Sequence, residues 1–412
     1  MLANLERPAA RAPGLRQVFA DFGLTYFANG LIGFIFSATG PVAIILSVGT
    51  RGGLSQAELA SWMWALGIGI AICSVGPSLW LRQPVMIAWS TPGAAVLAGA
   101  GAAATAAGSG FDMAHAIGAF MVSAALIVLC GVTGWFERVM NRIPMAIASA
   151  LLAGVLARFG MQAFTAAQTQ LGLVLVMLVT YLLCRQLWPR YAVPLTLVAA
   201  VAWVAPKGQL RWSAVPLDLA TPQFTMPAFS LQAVLSLALP LFVVTMASQN
   251  LPGVAAIRTA GYPMRISPII SLTGVVTLLL APFGAFALNL SAITAAICMG
   301  EQAHPDPAKR YTAAVACGLM YGLIGIFGAA VSGLLLAFPT ELVAAIAGLA
   351  LLGSIGGGLA VAVAQEDHRE AAVITFLVTL SGVSLWGIGS AFWGVLAGAL
   401  ALGVQQGAAR LK

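Results

Sequence analysis

The sequence predicts an all-α polytopic membrane protein, and three observations lead to this fold class. Charged residues make up 8% of the 412-residue chain, whereas soluble domains contain about 25%. Hydrophobic residues make up 60%, and the mean hydropathy is +0.98. The apolar residues form successive long runs, and a membrane-spanning helix needs about 20 such residues. We therefore expect fourteen transmembrane segments, short loops and no soluble domain.

Fourteen apolar segments follow one another along the chain. Residues 1–18 precede them and are more polar, with no small-residue cleavage site after a short apolar core. We therefore expect a cytoplasmic N-terminal tail and not a signal peptide. The segments are residues 19–37, 38–49 joined to 55–80, 83–101, 112–134, 144–163, 168–186, 191–206, 229–250, 251–257 joined to 266–284, 285–300, 310–336, 339–362, 370–387 and 390–408.

The placement of lysine and arginine predicts the orientation, because cytoplasmic loops accumulate basic residues. With the N-terminus inside and the loops alternating, fifteen of the 19 basic residues fall on the cytoplasmic side and three on the outer side. Arg158 is the one cation well inside a span, where it either pairs with a ligand or snorkels to the outer interface. We expect a multi-pass inner-membrane protein with both termini cytoplasmic. The net charge of +7 then needs no nucleic-acid partner.

The third span is interrupted near its middle. Residues 83–101 read QPVMIAWSTPGAAVLAGAG, in which the apolar, β-prone piece is too short to cross a membrane. Ser90, Thr91, Pro92 and Gly93 then resemble a helix start, with a hydroxyl cap and a proline in the first turn. A half-helix that starts at this depth presents free N–H groups and a positive dipole end, and both attract an anion.

The tenth span repeats this plan. Residues 283–300 read FGAFALNLSAITAAICMG, with an extended piece and Asn289 before a second hydroxyl-bearing start at Ser291. Extended backbone occurs at membrane depth only where it is buried or lines a cavity. Either segment alone is equally well read as a kinked packing helix. Their matching positions in the two halves favour two interrupted spans.

A weak internal repeat divides the chain after the seventh span. Residues 143–160 resemble residues 338–356, since a proline opens each helix and small residues recur along it. The longest outer loop, residues 207–228, separates seven spans from seven. Because seven is odd, the halves enter the membrane from opposite sides, as in the inverted repeats of secondary transporters. Small-residue helix packing is the alternative source of the similarity.

The candidate substrate-binding residues lie around the two interruptions and in the polar cluster that ends the eighth span. The amides of that cluster need partners inside the membrane, and either a ligand or an interhelical hydrogen bond supplies them. Aromatic residues near the interruptions favour an aromatic ligand. The five cysteines and three histidines show no metal-ligand spacing, so we expect no metal, no cofactor and no enzyme activity. The candidates are Trp89, Ser90, Thr91, Gly93, Gln249, Asn250, Phe286, Asn289 and Ser291.

Seven long motifs carry a family resemblance. They are Trp62–Gly69 (WMWALGIG), Pro84–Ala94 (PVMIAWSTPGA), Val132–Pro144 (VTGWFERVMNRIP), Thr245–Gly253 (TMASQNLPG), Ala287–Gly300 (ALNLSAITAAICMG), His304–Ala313 (HPDPAKRYTA) and Gly389–Gly394 (GSAFWG). Together they resemble the benzoate/proton symporter family of bacterial membrane proteins, over residues 21–403.

That family is similar to the uracil transporters in fold, which implies fourteen spans in two inverted sevens. The resemblance implies a core domain of residues 19–134 (spans 1–4) and 229–336 (spans 8–11), and a gate domain of residues 135–206 (spans 5–7) and 337–408 (spans 12–14). It implies import of benzoate or a similar aromatic monocarboxylate with a proton, bound between the broken third and tenth spans. Dimers are common in that fold, so a homodimer is an expectation of the resemblance alone.

One departure from the uracil-transporter pattern concerns the proton. Those transporters place glutamates in the eighth and tenth spans, where this chain has Gln249, Asn250 and Asn289. Neutral amides suit an anionic substrate, which a fixed carboxylate repels, but they leave no obvious proton carrier. Asp21 and Glu341, which open the first and twelfth spans, are the proton-coupling candidates. The alternatives are that both acids only cap helices, or that the substrate carries the proton itself.

The main functional prediction is uptake of an aromatic monocarboxylate with a proton by alternating access. A transporter of the same fold that carries a nucleobase or another small anion is the alternative. A channel or a membrane enzyme is the remote alternative. The sequence shows no pore-lining repeat, and no nucleophile–base pair or metal cluster within the membrane.

Overall fold

The computed structural model describes residues 53–106, 112–134, 145–210, 218–300, 303–304, 306–383, 385 and 390–411, together with the single residues 14, 16, 21, 34, 42, 45 and 49. Within these residues the protein is mostly helical, with one pair of short strands. The predicted first span and the 38–49 piece of the second lie outside the described residues, apart from those single positions.

The elements follow the predicted segments closely from the second span onward. They are α1 Gln56–Leu81, β1 Ile87–Trp89, α2 Thr91–Ala106, α3 Met113–Thr133, α4 Met145–Thr165, α5 Ala167–Leu187, α6 Ala192–Val204, α7 (residues 231–259), α8 Ile266–Leu280, β2 Leu288–Leu290, α9 Ile293–Met299, α10 Tyr311–Ile326, α11 Gly328–Ala337, α12 Thr340–Ala364, α13 Glu366–Ser381 and α14 Ser390–Leu411. Single 3₁₀ turns lie at Pro189–Tyr191, Ala205–Lys207, Ala281–Phe283 and Pro307–Lys309.

Several helices start where side chains satisfy their first N–H groups. α1 opens with a capping box, in which the Ser55 hydroxyl accepts from the N–H of Glu58 and the Glu58 carboxylate accepts from the N–H of Ser55. Asp112 accepts from the N–H of Ala114 at the start of α3. The hydrogen bond to His115 holds the pKa of Asp112 below its usual value. The Asp112 side chain is exposed, and it caps this helix.

Six helices in the described part of the chain are long and apolar enough to cross a membrane. They are Gln56–Leu81, Met113–Thr133, Met145–Thr165, Ala167–Leu187, Ile266–Phe283 (with its last turn) and Thr340–Ala364. Their outer faces are apolar as well: on α5, Leu171, Leu175, Val179 and Leu182 are all exposed. An apolar stripe of this length marks a surface that contacts lipid or another apolar partner. The count of fourteen spans stays a prediction.

α7 is one long helix whose pitch widens twice. Two π turns, Val234–Ala238 and Met246–Asn250, interrupt the α-helical pieces Leu231–Ala233, Leu239–Thr245 and Leu251–Thr259. Each π turn is followed two residues later by a proline, Pro240 and then Pro252. Proline has no N–H to donate within a regular helical turn, and its ring clashes with a carbonyl of the preceding turn. A wider π turn accommodates both the missing hydrogen bond and the ring.

This helix corrects the predicted boundary between the eighth and ninth spans. The polar cluster at Gln249 and Asn250 does not end the eighth span, because the helix continues through residues 251–259. Residues 251–257 belong to α7 and not to the ninth span, which begins at Ile266. The error came from Pro252, which normally ends a helix but here follows a π turn.

The helices pack in three main pairs: α1 with α10, α3 with α8, and α4 with α12. Small residues allow the close approach. A Cβ on Gly67 of α1 would lie 2.5 Å from the carbonyl oxygen of Tyr321 on α10. A Cβ on Gly274 of α8 would lie 2.7 Å from Val128 Cγ2 on α3. Close backbone packing through small residues is typical of helices in membranes.

β1 and β2 form an antiparallel pair, which confirms the predicted extended pieces in the two interrupted segments. The paired residues are Ile87 with Leu290, Ala88 with Asn289, and Trp89 with Leu288. The ladder continues on both sides, since the N–H of Ser90 donates to the Ala287 carbonyl at 3.1 Å and the N–H of Ser291 donates to the Met86 carbonyl at 2.9 Å. The starts of α2 and α9 are thereby brought to opposite ends of one small sheet.

Candidate functional site

Side chains from neighbouring helices accept hydrogen bonds from backbone N–H groups on the outer edges of the strand pair. The N–H of Ile87 donates to Ser74 Oγ on α1 at 3.0 Å, and the N–H of Leu288 donates to Thr277 Oγ1 on α8 at 3.3 Å. Buried backbone groups at membrane depth need such partners, because lipid offers none. The two hydroxyls play matching roles, one for each strand.

The side chain of Asn250 satisfies a third backbone N–H group, on the outer edge of β2. Its Oδ1 accepts from the N–H of Leu290 at 2.8 Å, and its Nδ2 donates to Met246 Sδ at 3.2 Å. The residue is fully buried. Both ends of the amide are therefore engaged within the protein, and its predicted contact with a ligand stays a prediction.

Replacing Asn250 with leucine should destabilise the protein. The substitution leaves the buried N–H of Leu290 without an acceptor, which costs about 1–3 kcal/mol. Thermal unfolding of the purified protein in detergent should show a lower midpoint than wild type. A midpoint equal to that of wild type would mean that another group satisfies the Leu290 N–H.

The two helix starts carry the predicted hydroxyl caps. Ser90 precedes α2, and its Oγ accepts from the N–H of Gly93 at 3.0 Å while its carbonyl accepts from the N–H of Ala94 at 2.9 Å. Ser291 Oγ accepts from the N–H of Thr294, in the first turn of α9, at 3.2 Å. These bonds confirm the caps, but they also occupy N–H groups that the sequence-based prediction leaves free for an anion.

One face of the strand pair is polar. Side chains alternate along a strand, so Ser90, Asn289 and Ser291 lie on the same face as Ala88, which pairs with Asn289. Thr245 Oγ1 of α7 donates to Ser90 Oγ at 3.4 Å, which places α7 beside this face. We call Ser90, Asn289 and Ser291 the polar strand face.

Asn289 lies at the centre of the polar strand face and is fully buried. Its Nδ2 donates to the Ala287 carbonyl at 2.9 Å. Its Oδ1 has no hydrogen-bond partner among the residues that the structure describes. An unpaired buried acceptor costs free energy, and such groups are few in native structures, so each one calls for an explanation.

Ala287 shapes the polar strand face from the backbone. Its φ is 44°, in the left-handed region that an alanine adopts only at a cost of roughly 1–2 kcal/mol. In this conformation its carbonyl accepts two hydrogen bonds, from the N–H of Ser90 and from Asn289 Nδ2. The strain therefore lies next to the orphaned acceptor, where backbone strain commonly marks a functional position.

The aromatic candidates lie elsewhere. Trp89 is on the opposite strand face and packs edge-on against Tyr321, with ring centroids 5.1 Å apart. Phe286 packs with Phe120 at 5.4 Å and with Trp62 at 6.0 Å. Both residues are buried in these aromatic clusters. The structure thus does not bring them to the polar strand face, and their ligand contacts stay predictions.

The remaining candidates lie on α2 and α7. Thr91 and Gly93 form the first turn of α2, where a Cβ on Gly93 would lie 2.6 Å from Leu241 Cδ1 and 2.8 Å from Ser90 Oγ. Gln249 is partly exposed in the second π turn of α7. The Arg158 guanidinium lies beside Gly382, at the C-terminal end of α13, so the structure does not bring it to the polar strand face.

The two proton-coupling candidates lie beside helix starts, Asp21 next to that of α10 and Glu341 in that of α12. Asp21 accepts from the Tyr311 hydroxyl at 2.8 Å and lies 3.7 Å from Lys309 Nζ. Glu341, in the first turn of α12, accepts from the hydroxyls of Thr169 and Thr340, each at 3.3 Å. Among the described residues no hydrogen bond links either acid to β1 or β2. Their role in proton coupling stays a prediction.

Comparison with known proteins identifies the family. The model of the family described as "Benzoate membrane transport protein" matches residues 20–404. The chain belongs to this family. A relative in Acinetobacter baylyi, named benzoate membrane transport protein, is 37% identical over 389 residues, which cover 94% of this chain and 96% of that protein. The inner membrane protein YdcO of Escherichia coli is 44% identical over 375 residues, covering 91% of this chain and 93% of that protein.

Solved structures show the fold that this benzoate transport family member shares. The transmembrane domain of the cyanobacterial bicarbonate transporter BicA aligns with a TM-score of 0.56 at 12% identity, covering 92% of this chain and 98% of that domain. SLC26A9 aligns with a TM-score of 0.61 at 13% identity, covering 95% of this chain and 68% of that one. At such identities the likeness concerns the fold alone. The protein is a mostly helical membrane transporter with an SLC26/BicA-like fold.

Four hydroxyl residues around the strands were missed by sequence reasoning: Ser74, Thr245, Thr277 and Thr294. The first three bond to the strands or to Ser90. Thr294 Oγ1 is buried and, like Asn289 Oδ1, has no partner among the described residues. Isolated hydroxyls in apolar segments were the available signal, but they equally well bond within their own helix.

Proposed function

We propose that the protein imports benzoate or a related aromatic monocarboxylate together with a proton, by alternating access. The main support is the polar strand face, a neutral hydrogen-bonding surface where two broken segments meet. It includes an acceptor, Asn289 Oδ1, that has no partner among the described residues. Membership of the benzoate transport family supports the substrate class. Extended backbone paired at membrane depth supports a binding site, because such backbone is tolerated only where it is buried or lines a cavity.

The proposed architecture is fourteen spans in two inverted sevens, with the core and gate boundaries given above. Support comes from the helix pairs. In the proposed repeat, α1 of the first half is equivalent to α8 of the second half, and α3 is equivalent to α10. The α1–α10 pair is therefore equivalent to the α8–α3 pair. The α4–α12 pair maps onto itself. The antiparallel strands follow the same equivalence, as do the matching hydrogen bonds that Ser74 and Thr277 accept from the strand edges.

The proposed surroundings follow from this architecture. The chain lies in a bacterial inner membrane with both termini in the cytoplasm, which the distribution of basic residues supports. A homodimer is part of the proposal on the strength of the family resemblance. The proposed substrate contacts centre on the polar strand face, with Thr91, Gly93 and Gln249 at its rim.

The test is uptake of labelled benzoate into liposomes that contain the purified protein. Acidifying the outside should drive accumulation above that of protein-free liposomes, which measure passive entry of the acid. A protonophore should remove the difference. If uptake through the protein does not change with the proton gradient, the proposed coupling to protons is refuted. If uptake does not exceed that of protein-free liposomes, the proposed substrate class is refuted.

A small anion other than an aromatic acid is the second candidate. The structures of similar fold include one named as a bicarbonate transporter and one named as an anion transporter, and the relative YdcO has a name that specifies no substrate. Competition separates the two candidates. Excess unlabelled bicarbonate or uracil should leave benzoate uptake unchanged if the aromatic acid is the substrate.

A further inference from the structure

The atom of Asn289 that has no partner in the described part of the chain is an oxygen, and the surrounding bonds fix this assignment. Exchanging the amide oxygen and nitrogen would place Oδ1 against the Ala287 carbonyl, which now lies 2.9 Å from Nδ2. A carbonyl oxygen only accepts hydrogen bonds, so the exchange would set two acceptors against each other. The polar strand face therefore presents a buried acceptor that needs a donor from elsewhere.

A carboxylate cannot supply that donor, because its oxygens only accept hydrogen bonds. The backbone near the site also offers a carboxylate little. The N–H groups of Gly93 and Ala94 already bond to Ser90, the N–H of Thr294 bonds to Ser291, and Pro92 has no N–H. An ionised ligand would thus meet an acceptor at Asn289. The donors left at the helix starts include the O–H groups of Ser90, Ser291 and Thr294, and the carbonyl oxygen of a neutral acid can accept from these as well.

Nor do the elements packed against β2 in the described part of the chain provide a cation. These are β1, α1, α8 and the second π turn of α7. Their only Asp, Glu, His, Lys or Arg is Glu58, which is exposed in the first turn of α1. α7 continues past this π turn through Gly253, which packs on Leu290, and carries Arg258 near its C-terminal end. The remaining titratable group of the elements packed against β2 is the buried thiol of Cys73. A buried charge without a partner costs several kcal/mol, so these surroundings favour a neutral ligand.

We infer that the polar strand face binds the substrate as the neutral carboxylic acid, whose O–H donates to Asn289 Oδ1. This inference rests on the proposed function, since it takes the substrate to be an aromatic monocarboxylate. The proton and the carboxylate then cross together as one uncharged molecule, and the acid dissociates into both on the cytoplasmic side. No side chain has to change its protonation state, which agrees with the contacts of Asp21 and Glu341, neither of which bonds to β1 or β2 among the described residues.

The test measures equilibrium binding to the purified protein in detergent or nanodiscs, where passive entry of the acid plays no part. If only the neutral acid binds, the apparent affinity for benzoate falls about tenfold per pH unit above the ligand's own pKa. Ring-substituted benzoates add a second criterion. At one fixed pH, a benzoate whose pKa is about one unit lower should bind about tenfold more weakly.

Neutral analogues provide the matched controls. Benzamide has the shape of benzoic acid, is uncharged, and donates through its amide N–H. It should bind with an affinity that does not change with pH, and it should compete with benzoate. Methyl benzoate is equally neutral and similar in shape but has no donor, so it should not compete.

The outcomes separate the inference from the proposed function. Benzoate affinity that is independent of pH and of ligand pKa, with no competition by benzamide, would overturn the neutral-acid inference and leave benzoate as the substrate. Failure of benzoate and of all its analogues to bind at any pH would overturn the proposed function, and the inference with it. Tenfold weakening per pH unit together with pH-independent binding of benzamide supports both.

Discussion

Replacing Gly93 with leucine is expected to abolish benzoate uptake while the protein still inserts into the membrane. Gly93 lies in the first turn of α2, and even a Cβ there would come within 2.6 Å of Leu241 Cδ1 on α7 and 2.8 Å of Ser90 Oγ. A leucine must therefore displace Ser90, α7 or both. Because Ser90 belongs to the polar strand face, the substrate contacts move with it.

Initial uptake rates in proteoliposomes measure this effect, normalised to the amount of inserted protein. Gly76→Leu is the matched control, because Gly76 lies on α1 and a Cβ added there would meet no described atom within 4 Å. The control should retain wild-type uptake. Wild-type uptake in Gly93→Leu would show that the start of α2 does not line the substrate path, and the site would have to lie elsewhere.

The two interrupted segments were predictable from sequence because each carries a local signal. A short apolar stretch followed by a serine and a helix-compatible run specifies an extended piece and a capped half-helix, and both pieces are present at residues 87–106 and 288–299. The pairing between them was not predictable. It joins residues from opposite halves of the chain, such as Ala88 and Asn289, and no local sequence signal specifies a contact over that separation.

The predictions for aromatic and amide residues show why composition near a site is a weak guide to contacts. Trp89 is adjacent to Ser90 in sequence, but strand alternation turns its ring to the opposite face, against Tyr321. Asn250 and Asn289 are both buried amides, yet Asn250 satisfies a backbone N–H while Asn289 leaves its oxygen unpaired among the described residues. Only the three-dimensional hydrogen bonds distinguish a structural amide from one that is available to a ligand.

The difference between Asn250 and Asn289 predicts a second large effect, on benzoate binding. Replacing Asn289 with leucine should weaken benzoate binding strongly and change stability little. The substitution removes the acceptor on which the substrate's O–H depends, and an unsatisfied polar group costs about 1–3 kcal/mol, or roughly 5- to 150-fold in affinity. Within the protein only the bond from Nδ2 to the Ala287 carbonyl is lost. That carbonyl keeps its bond from the N–H of Ser90, so the stability cost is about 1 kcal/mol.

Measuring both quantities in both variants makes the comparison decisive. Asn289→Leu should lose affinity in the binding assay and keep a thermal midpoint near that of wild type, whereas Asn250→Leu should lower the midpoint. Residual binding of benzoate to Asn289→Leu should also depend less steeply on pH, because the acceptor that selects the protonated acid is gone. A large loss of stability with unchanged affinity in Asn289→Leu would mean that Oδ1 serves the fold, and the acceptor for the substrate's proton would then have to be sought on another residue.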